Sequence, residues 1–240
     1  MLSLVVPAYK EGEHIYENLI AINGALLSIG EPYEIIPVND GSPDNTGSEI
    51  LRAGEDIASV KPVSYDVNRG KGGAIIEGIS HAEGDVIGFI DADLDIDPDH
   101  VPDYLKAMRD SGCDIVLGSK MHKDSKLVYP FARRVFSRCY YIMLKVLFGL
   151  KCHDTQTGIK LYRGELIKSV AGKLRTRGYA FDIEILALCS RQKASLKEMP
   201  VRIDFKRGES FGRIRFRDIW KMFTDTIGIW WNLRVRKKYD

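Results

Sequence analysis

Residues 85–97 read Asp85-Val86-Ile87-Gly88-Phe89-Ile90-Asp91-Ala92-Asp93-Leu94-Asp95-Ile96-Asp97: an apolar run that stops at Asp91 and gives way to four carboxylates in seven residues. A short apolar, β-rich run bounded by polar residues reads as a strand buried on both faces, the hallmark of a parallel sheet. Working outward, Lys71 to His81 reads as a glycine-opened helix before this strand. Val101–Ser111 reads as a helix after it, and Asp114–Gly118 as the next strand. Further upstream, Leu2–Pro7, Tyr33–Val38 and the weaker Val60–Asp66 read as strands. Helical spacing from Gly12 to about Ser28, carried by Ile15, Leu19, Ile22 and Leu26, separates the first two. A second helix, capped by Asn45 or Thr46 and running to about Gly54, separates the next two. This alternation predicts an α/β fold with one doubly wound, mostly parallel sheet and right-handed crossovers. Ligands bind such sheets at the carboxyl ends of the strands, where Tyr9, Asp40, Asn68 and Asp91 fall.

The second half differs. Tyr129 to Leu150 is a long apolar segment in which Arg134, Arg138 and Lys145 share one helical face. Thr155–Tyr162 reads as a strand and Phe181–Cys189 as a helix. Arg215 to Leu233 carries Phe216, Ile219, Trp220, Phe223, Ile227, Trp230 and Trp231 at helical spacing, followed by a basic tail. The expected organisation is one α/β unit over residues 1–212, in two halves (1–119 and 120–212), then an amphipathic helix and tail over 213–240.

With 240 residues, 45% apolar and 28% charged, the chain is globular in composition. Its net charge of +2 hides a polarity: residues 1–119 carry −15 and residues 120–240 carry +17. An acidic half suits a metal ion and a basic half suits phosphates or an anionic membrane, unless the two neutralise each other across an interface. The four cysteines lack metal-ligand spacing and read as reduced thiols. The N-terminus has no secretory signal pattern and no stretch of about 18 apolar residues predicts a membrane span. Nucleic acid is not an expected partner, because basic residues are not interleaved with an aromatic platform.

Crowded carboxylates repel unless a cation is present, and oxygen-only ligands suit Mg²⁺ or Mn²⁺. Asp91, Asp93 and Asp95 are therefore the candidate metal ligands, against the plainer reading of a solvated acidic loop; Asp97 and Asp99 flank Pro98 and read as helix-capping. Asn68-Arg69-Gly70-Lys71-Gly72-Gly73 turns into a helix with two cations and can cradle phosphate, or serve as a simple turn. Asp40, before Gly41-Ser42-Pro43-Asp44, can accept from a base or cap a turn. Asp154 can act as a general base, orient an acceptor or bond its own loop. The basic set Lys120, Arg133, Arg134, Arg138, Lys206 and Arg207 can bind an anionic acceptor or diphosphate. The tryptophan-bearing C-terminal helix can lie at a membrane interface or pack on the domain.

Taken together, Val5-Val6-Pro7-Ala8-Tyr9-Lys10-Glu11, Asn39-Asp40-Gly41-Ser42-Pro43-Asp44, Asn68-Arg69-Gly70-Lys71-Gly72 and Asp91-Ala92-Asp93 resemble glycosyltransferase family 2, with its GT-A fold. Gly118-Ser119-Lys120, Asp154-Thr155-Gln156-Thr157-Gly158, Lys160-Leu161-Tyr162, Ala180-Phe181-Asp182-Ile183-Glu184 and Gly208-Glu209-Ser210 resemble the polyprenyl-phosphate (dolichyl-phosphate) hexose synthases, glucose type closer than mannose. The resemblance implies a nucleoside pocket lined by Pro7, Ala8, Tyr9, Glu11, Val38, Asp40, Asn68 and Lys71. It places Asp91, Ala92 and Asp93 at the metal, ribose and diphosphate, with Asp95 as a further candidate ligand. Lys120, Arg133 and Ser137 would face phosphates, and Lys206 or Arg207 would come from a loop; Asp154, Asp93 and Lys120 are the candidate catalytic set. It further implies inverting transfer of a hexose from a nucleotide sugar, UDP favoured over GDP, to a polyprenyl phosphate at the cytoplasmic membrane face. The chain would touch that membrane peripherally, with a separate membrane-anchor protein as a further partner. Competing expectations are a soluble transferase acting on a saccharide or protein hydroxyl, and a non-catalytic nucleotide-sugar or membrane-binding module. Two departures stand out: Lys120 occupies a position where arginine is common, and the membrane segments frequent in glucose-type relatives are not seen.

Overall fold

A computed structural model describes residues 1–125, 131–178, 180–203 and 216–239; for 131–139 and 216–219 only the backbone is described. The first half follows the alternation read from the sequence. β1 (Leu2–Ala8), α1 (Ile15–Leu26), β2 (Tyr33–Asp40), α2 (Thr46–Asp56), β3 (Val63–Tyr65), α3 (Lys71–His81), β4 (Val86–Ile90), α4 (His100–Ser111) and β5 (Ile115–Ser119) follow one another. The second half continues with α5 (Phe131–Phe148), β6 (Ile159–Arg163), α6 (Gly164–Ala171), α7 (Phe181–Arg191), β7 (Leu196–Pro200) and α8 (Phe216–Arg234).

The described strands form one seven-stranded sheet in the order β3-β2-β1-β4-β6-β5-β7. β6 alone runs antiparallel to its neighbours β4 and β5; the other pairings are parallel. Successive side chains point to opposite faces and both faces are covered, which explains why the central strands β1 and β4 are mostly apolar. In β1, Leu2, Leu4, Val6 and Ala8 enter one core while Val5 enters the other. In β4, Val86 and Ile90 face the first core, and Ile87 and Phe89 the second. α1, α2 and α4 cover one face through Ile15, Leu19, Ile50 and Tyr104. The other face is covered by α3, α5, α6, α7 and α8 through Ile75, Leu144, Ile167, Leu186 and Ile229. The result is a three-layer α/β/α fold, as expected.

Several local expectations are corrected. β3 is only three residues long; Val60 makes a lone bridge to Ile35, because Pro62 removes a ladder donor between them. Neither Asn45 nor Thr46 caps α2 by its side chain; Asp44 does the bonding, accepting from the Thr46 amide (3.2 Å) and hydroxyl (2.6 Å). β6 begins at Ile159 rather than Thr155. α6 and β7 were not anticipated, the latter because Leu196-Lys197-Glu198-Met199-Pro200 is a half-polar edge strand.

Candidate functional site

Because β6 is reversed, its start meets the ends of the parallel strands: Ile159 pairs with Ile90. One edge of the sheet therefore gathers the segments after β1, β2, β3, β4 and β5 together with the His153–Gly158 segment before β6.

The acidic turn after β4 sits at the middle of this edge. Ala92, Leu94 and Ile96 are buried, and Asp91, Asp93 and Asp95 alternate with them at intermediate exposure. Leu94 takes a left-handed conformation (φ 50°), and Asp93 Oδ1 accepts the Asp95 amide at 3.2 Å, which compacts the turn. Burial, with Asp91 and Asp95 close by, pushes the Asp93 carboxyl up to about 6. The Lys71 ammonium, from the first residue of α3, forms an ion pair with Asp91. Burial alone would lower the Lys71 pKa, but Asp91, Asp182 and Asp93 outweigh it and raise it. Carboxylates that crowd each other and already hold an ammonium suit a divalent cation. Among the described residues no cluster of three or more acidic, His or Cys groups forms a preset cage. Mg²⁺ and Mn²⁺ sites that also take phosphate oxygens need only one or two carboxylates.

Across from Lys71, the turn is fastened to the segment before β6. The Asp91 amide donates to the Gly158 carbonyl at 3.1 Å. A Cβ on Gly158 would lie 2.4 Å from Asp91 Oδ2, so any larger residue there would push that carboxylate aside. Four residues earlier Asp154, 7% exposed, accepts the Lys120 amide (2.9 Å) and the Gln156 amide (3.1 Å), and the Lys120 ammonium lies 3.7 Å away. Burial pushes this carboxyl up, but Lys120, Thr157 and the backbone donors win and hold it below its ordinary value. Behind it, Glu198 of β7 accepts the amides of His153 (2.8 Å) and Asp154 (3.3 Å) and the His153 imidazole (2.6 Å).

The segments after β1, β2 and β3 interlock on the other side. The Lys10 amide donates to Ser42 Oγ (3.2 Å) and the Glu11 amide to Thr46 Oγ1 (2.9 Å). Asp40 is buried and bonds protein: Oδ1 accepts the Tyr65 hydroxyl and the Arg69 amide, both at 2.7 Å, and its carbonyl accepts Asn68 Nδ2 at 3.0 Å. It thus shapes the Asn68–Gly70 turn. Pro7, Tyr9, Glu11, Asn68 and Lys71 reach the surface at this edge. The side chains of Ala8, Val38 and Ala92 do not: they are at most 4% exposed and belong to the two cores. Only their backbone faces the edge; the Ala92 carbonyl accepts Asn18 Nδ2 at 2.8 Å.

Arg133 and Ser137 lie on the α5 backbone without described side chains, and Lys206 and Arg207 lie outside the described residues. Two residues not assigned a role from sequence stand directly beneath the site. Lys160, 0% exposed, bonds Asp182 (2.6 Å) and the Thr157 carbonyl (2.6 Å) and rests over the Phe89 ring. Burial raises the Asp182 pKa although Lys160 and Lys71 pull it down. A lysine inside the apolar run Ile159-Lys160-Leu161-Tyr162 was the available signal, since a buried cation demands a partner.

α8 has two apolar faces. Ile229 and Leu233 are buried against the core, whereas Trp220, Phe223, Ile227 and Trp231 are 38–63% exposed and recur every three or four residues. Among the described residues no helix is long and apolar enough to cross a membrane.

The dolichyl-phosphate beta-glucosyltransferase of Saccharomyces cerevisiae is 30% identical over 221 residues, spanning 83% of this chain and 66% of that protein. The enzyme of the same name from Dictyostelium discoideum is 31% identical over 253 residues, 92% of this chain and 76% of that protein. Glycosyltransferase AglD of Haloferax volcanii is 27% identical over 240 residues, 99% of this chain but only 38% of its own length. Glucosyl-3-phosphoglycerate synthase from Mycobacterium tuberculosis, crystallised with Mn²⁺, uridine diphosphate and glucosyl-3-phosphoglycerate, superposes with a TM-score of 0.69 at 21% identity. The match covers 97% of this chain and 79% of that one, and shows the same fold. The model of glycosyl transferase family 2 matches residues 3–170, over the strands and turns that build the site, and the chain belongs to that family.

Proposed function

We propose that this protein is a metal-dependent, inverting glycosyltransferase that moves a hexose, glucose in the first instance, from a UDP-sugar to a polyprenyl (dolichyl) phosphate at the cytoplasmic membrane face. The observation that carries the reading is the pairing at one sheet edge of the crowded Asp91/Asp93 turn with Lys71 on one side and the Lys120–Asp154 pair on the other. Relatives named for dolichyl-phosphate glucosyl transfer, and a fold neighbour crystallised with Mn²⁺ and uridine diphosphate, support it.

In this reading Pro7, Tyr9, Glu11 and Asn68 receive the nucleoside, and the Asn68–Gly70 turn is shaped for it by Asp40. Asp91 and Asp93, with Asp95 close by, would hold Mg²⁺ or Mn²⁺, which supplies charge neutralisation for the departing diphosphate. Lys71, held at the diphosphate side by Asp91 and Asp182, adds a fixed positive charge. Lys120 offers an ammonium to the acceptor phosphate, and Asp154 orients it. Asp154 is a poor general base: its pKa is held below the ordinary carboxylate value and it already accepts two backbone amides. A phosphate monoester has a second pKa of about 6 and needs no base to become a nucleophile. This favours a lipid phosphate over a sugar or protein hydroxyl as acceptor. The exposed apolar stripe of α8 supports peripheral seating at the bilayer.

The test is to incubate the protein with Mn²⁺, a short polyprenyl phosphate and labelled UDP- and GDP-sugars, and to count label in the organic phase. Label from one UDP-sugar, abolished by EDTA, is expected. Hydrolysis of a donor without lipid labelling would reject the acceptor assignment, and no turnover of any donor would reject catalysis.

A further inference from the structure

The first turn of α7 carries two buried carboxylates with different duties. Asp182 serves the charge network under the site. Glu184, 0% exposed, points the other way and is satisfied without a cation among its described partners. Its oxygens accept the Arg175 amide (3.1 and 3.2 Å), the Thr176 amide (2.8 Å) and the hydroxyl of Tyr239. Tyr239 is itself buried, five residues past the end of α8. Its carbonyl accepts the Lys173 ammonium (3.0 Å), the Arg175 guanidinium donates to the Lys238 carbonyl (3.3 Å), and that guanidinium rests 5.8 Å over the Tyr239 ring. The carboxyl segment is thus strapped onto the 173–176 segment by several contacts, and Glu184 accepts from both segments.

That segment continues directly into the candidate donor site. The Arg177 carbonyl accepts the Gly72 amide at 3.0 Å, one of the unpaired donors of the first turn of α3. A Cβ on Gly70 would lie 2.8 Å from the Arg177 carbonyl oxygen, and one on Gly72 would lie 3.0 Å from those of both Thr176 and Arg177. Backbone is laid on backbone here, and Phe181 Cβ stands 2.8 Å from the same Gly72 position, which leaves little room to absorb a displacement. Lys71, between these two glycines, is the residue whose ammonium holds Asp91.

We propose that Glu184 and Tyr239 are positioning residues for the Gly70–Gly72 turn: the phenol–carboxylate contact latches the carboxyl segment to the loop that seats Lys71. The proposal rests on reading this turn as part of the donor site. Because the latch follows α8, it also ties the helix bearing the exposed tryptophans to that turn. Tyr239→Phe keeps the ring and leaves a buried carboxylate short of one donor. Glu184→Gln places an amide NH₂, which cannot accept, among donors.

The test is hydrogen–deuterium exchange on the ligand-free full chain, comparing wild type with both variants, with calorimetric titration of UDP in the presence of Mn²⁺ alongside. Losing one hydrogen bond to a buried charge should speed exchange of peptides across residues 68–76 about tenfold, with β1 unchanged. UDP affinity should fall by a similar factor, and Tyr239→Phe should be milder than Tyr239→Ala. Faster exchange confined to residues 172–178 and 235–239, with 68–76 as protected as in wild type, would overturn the proposal. Exchange is read without ligand. A wild type that fails to bind UDP would therefore count against the donor-site reading, while the exchange pattern still decides the latch. Tyr239→Phe preserves ring volume, so the decision does not depend on Glu184→Gln folding.

Discussion

Gly158→Ala should cripple turnover while hardly touching the fold. The added Cβ would sit 2.4 Å from Asp91 Oδ2 and 2.7 Å from Cγ. An ordinary carbon–oxygen contact is about 3.4 Å, so the carboxylate must retreat by roughly 1 Å. The backbones cannot share the strain easily, because Asp91 N–H donates to the Gly158 carbonyl and Ile90 is registered against Ile159. The side chain moves instead, and Lys71 with it. Crowding of this kind costs about 1 kcal/mol where a side chain can swing away. A misplacement of about 1 Å at a reacting centre can cost about 100-fold in rate. The assay is kcat/KM for the donor that wild type turns over, with a Mn²⁺ titration and a thermal melt of the same preparation. Gly24→Ala serves as control: nothing lies within 4 Å of a Cβ there, in the last turn of α1, and it should stabilise slightly. A Gly158→Ala protein with activity within about threefold of wild type and unchanged Mn²⁺ affinity would show that turnover does not depend on where Asp91 sits.

Other expectations follow from the charge network and the surface. Lys160→Met should destabilise by about 3–5 kcal/mol in urea melts, because it strands Asp182 as an unpaired buried charge, whereas Lys160→Met/Asp182→Leu should recover most of the loss; equal losses would refute the pairing argument. Asp93 has a folded pKa near 6, raised above its unfolded value, so its charge costs the metal-free protein stability that is lost as pH rises through that window. In EDTA, Asp93→Asn should therefore raise the melting temperature most at pH 7.5, with the gain shrinking as pH falls below about 6 and vanishing only below the ordinary carboxylate pKa of about 4; for wild type, Mn²⁺ affinity should weaken below about pH 6, and a flat profile would count against this. Asp154→Asn should lower turnover of a lipid-phosphate acceptor only a few-fold, and a loss of about 10⁴-fold would restore a general-base role. Replacing Trp220, Phe223 and Trp231 by serine should abolish co-sedimentation with anionic vesicles and leave the melting temperature within about 2 °C; undiminished sedimentation would remove α8 as the contact.

The fold of the first half was legible because its strands are apolar on both faces and end at turn residues. Leu2–Ala8 feeds two cores, and such a strand has no alternative surface home. The acidic turn was legible because its carboxylates interrupt an apolar strand. The direction of β6 was not, since Ile159-Lys160-Leu161-Tyr162 is buried throughout and a continuously buried run carries no mark of orientation. Nor was the Lys160–Asp182 pair: a partner 22 residues away is chosen by the packing of α7 on the sheet, not by local spacing. Ala8, Val38 and Ala92 were placed in the site by motif, but each side chain takes the inward side of its backbone. Asp154 was found as a carboxylate between apolar segments, yet Lys120, which gives it both an amide and an ammonium, stands just past β5, 34 residues earlier in the chain.

The placement of β6 between β4 and β5 also governs the order in which the chain can fold during synthesis. Once β4 has emerged, β1, β2, β3 and β4 have their partners, but the outer edge of β4 stays open. β5 cannot close it, because β5 bonds only β6 and β7. The apolar Val86-Ile87-Gly88-Phe89-Ile90 edge must wait for Ile159–Arg163, about 70 residues later, which at about 5–20 residues per second is roughly 4–15 s on the ribosome. For that interval an unpaired apolar strand, flanked by the aspartates of the acidic turn, stands exposed to other nascent chains. Asp85 and Asp91 bracket the edge with like charges that discourage strand addition, so a carboxylate of the acidic turn also guards the unfinished sheet.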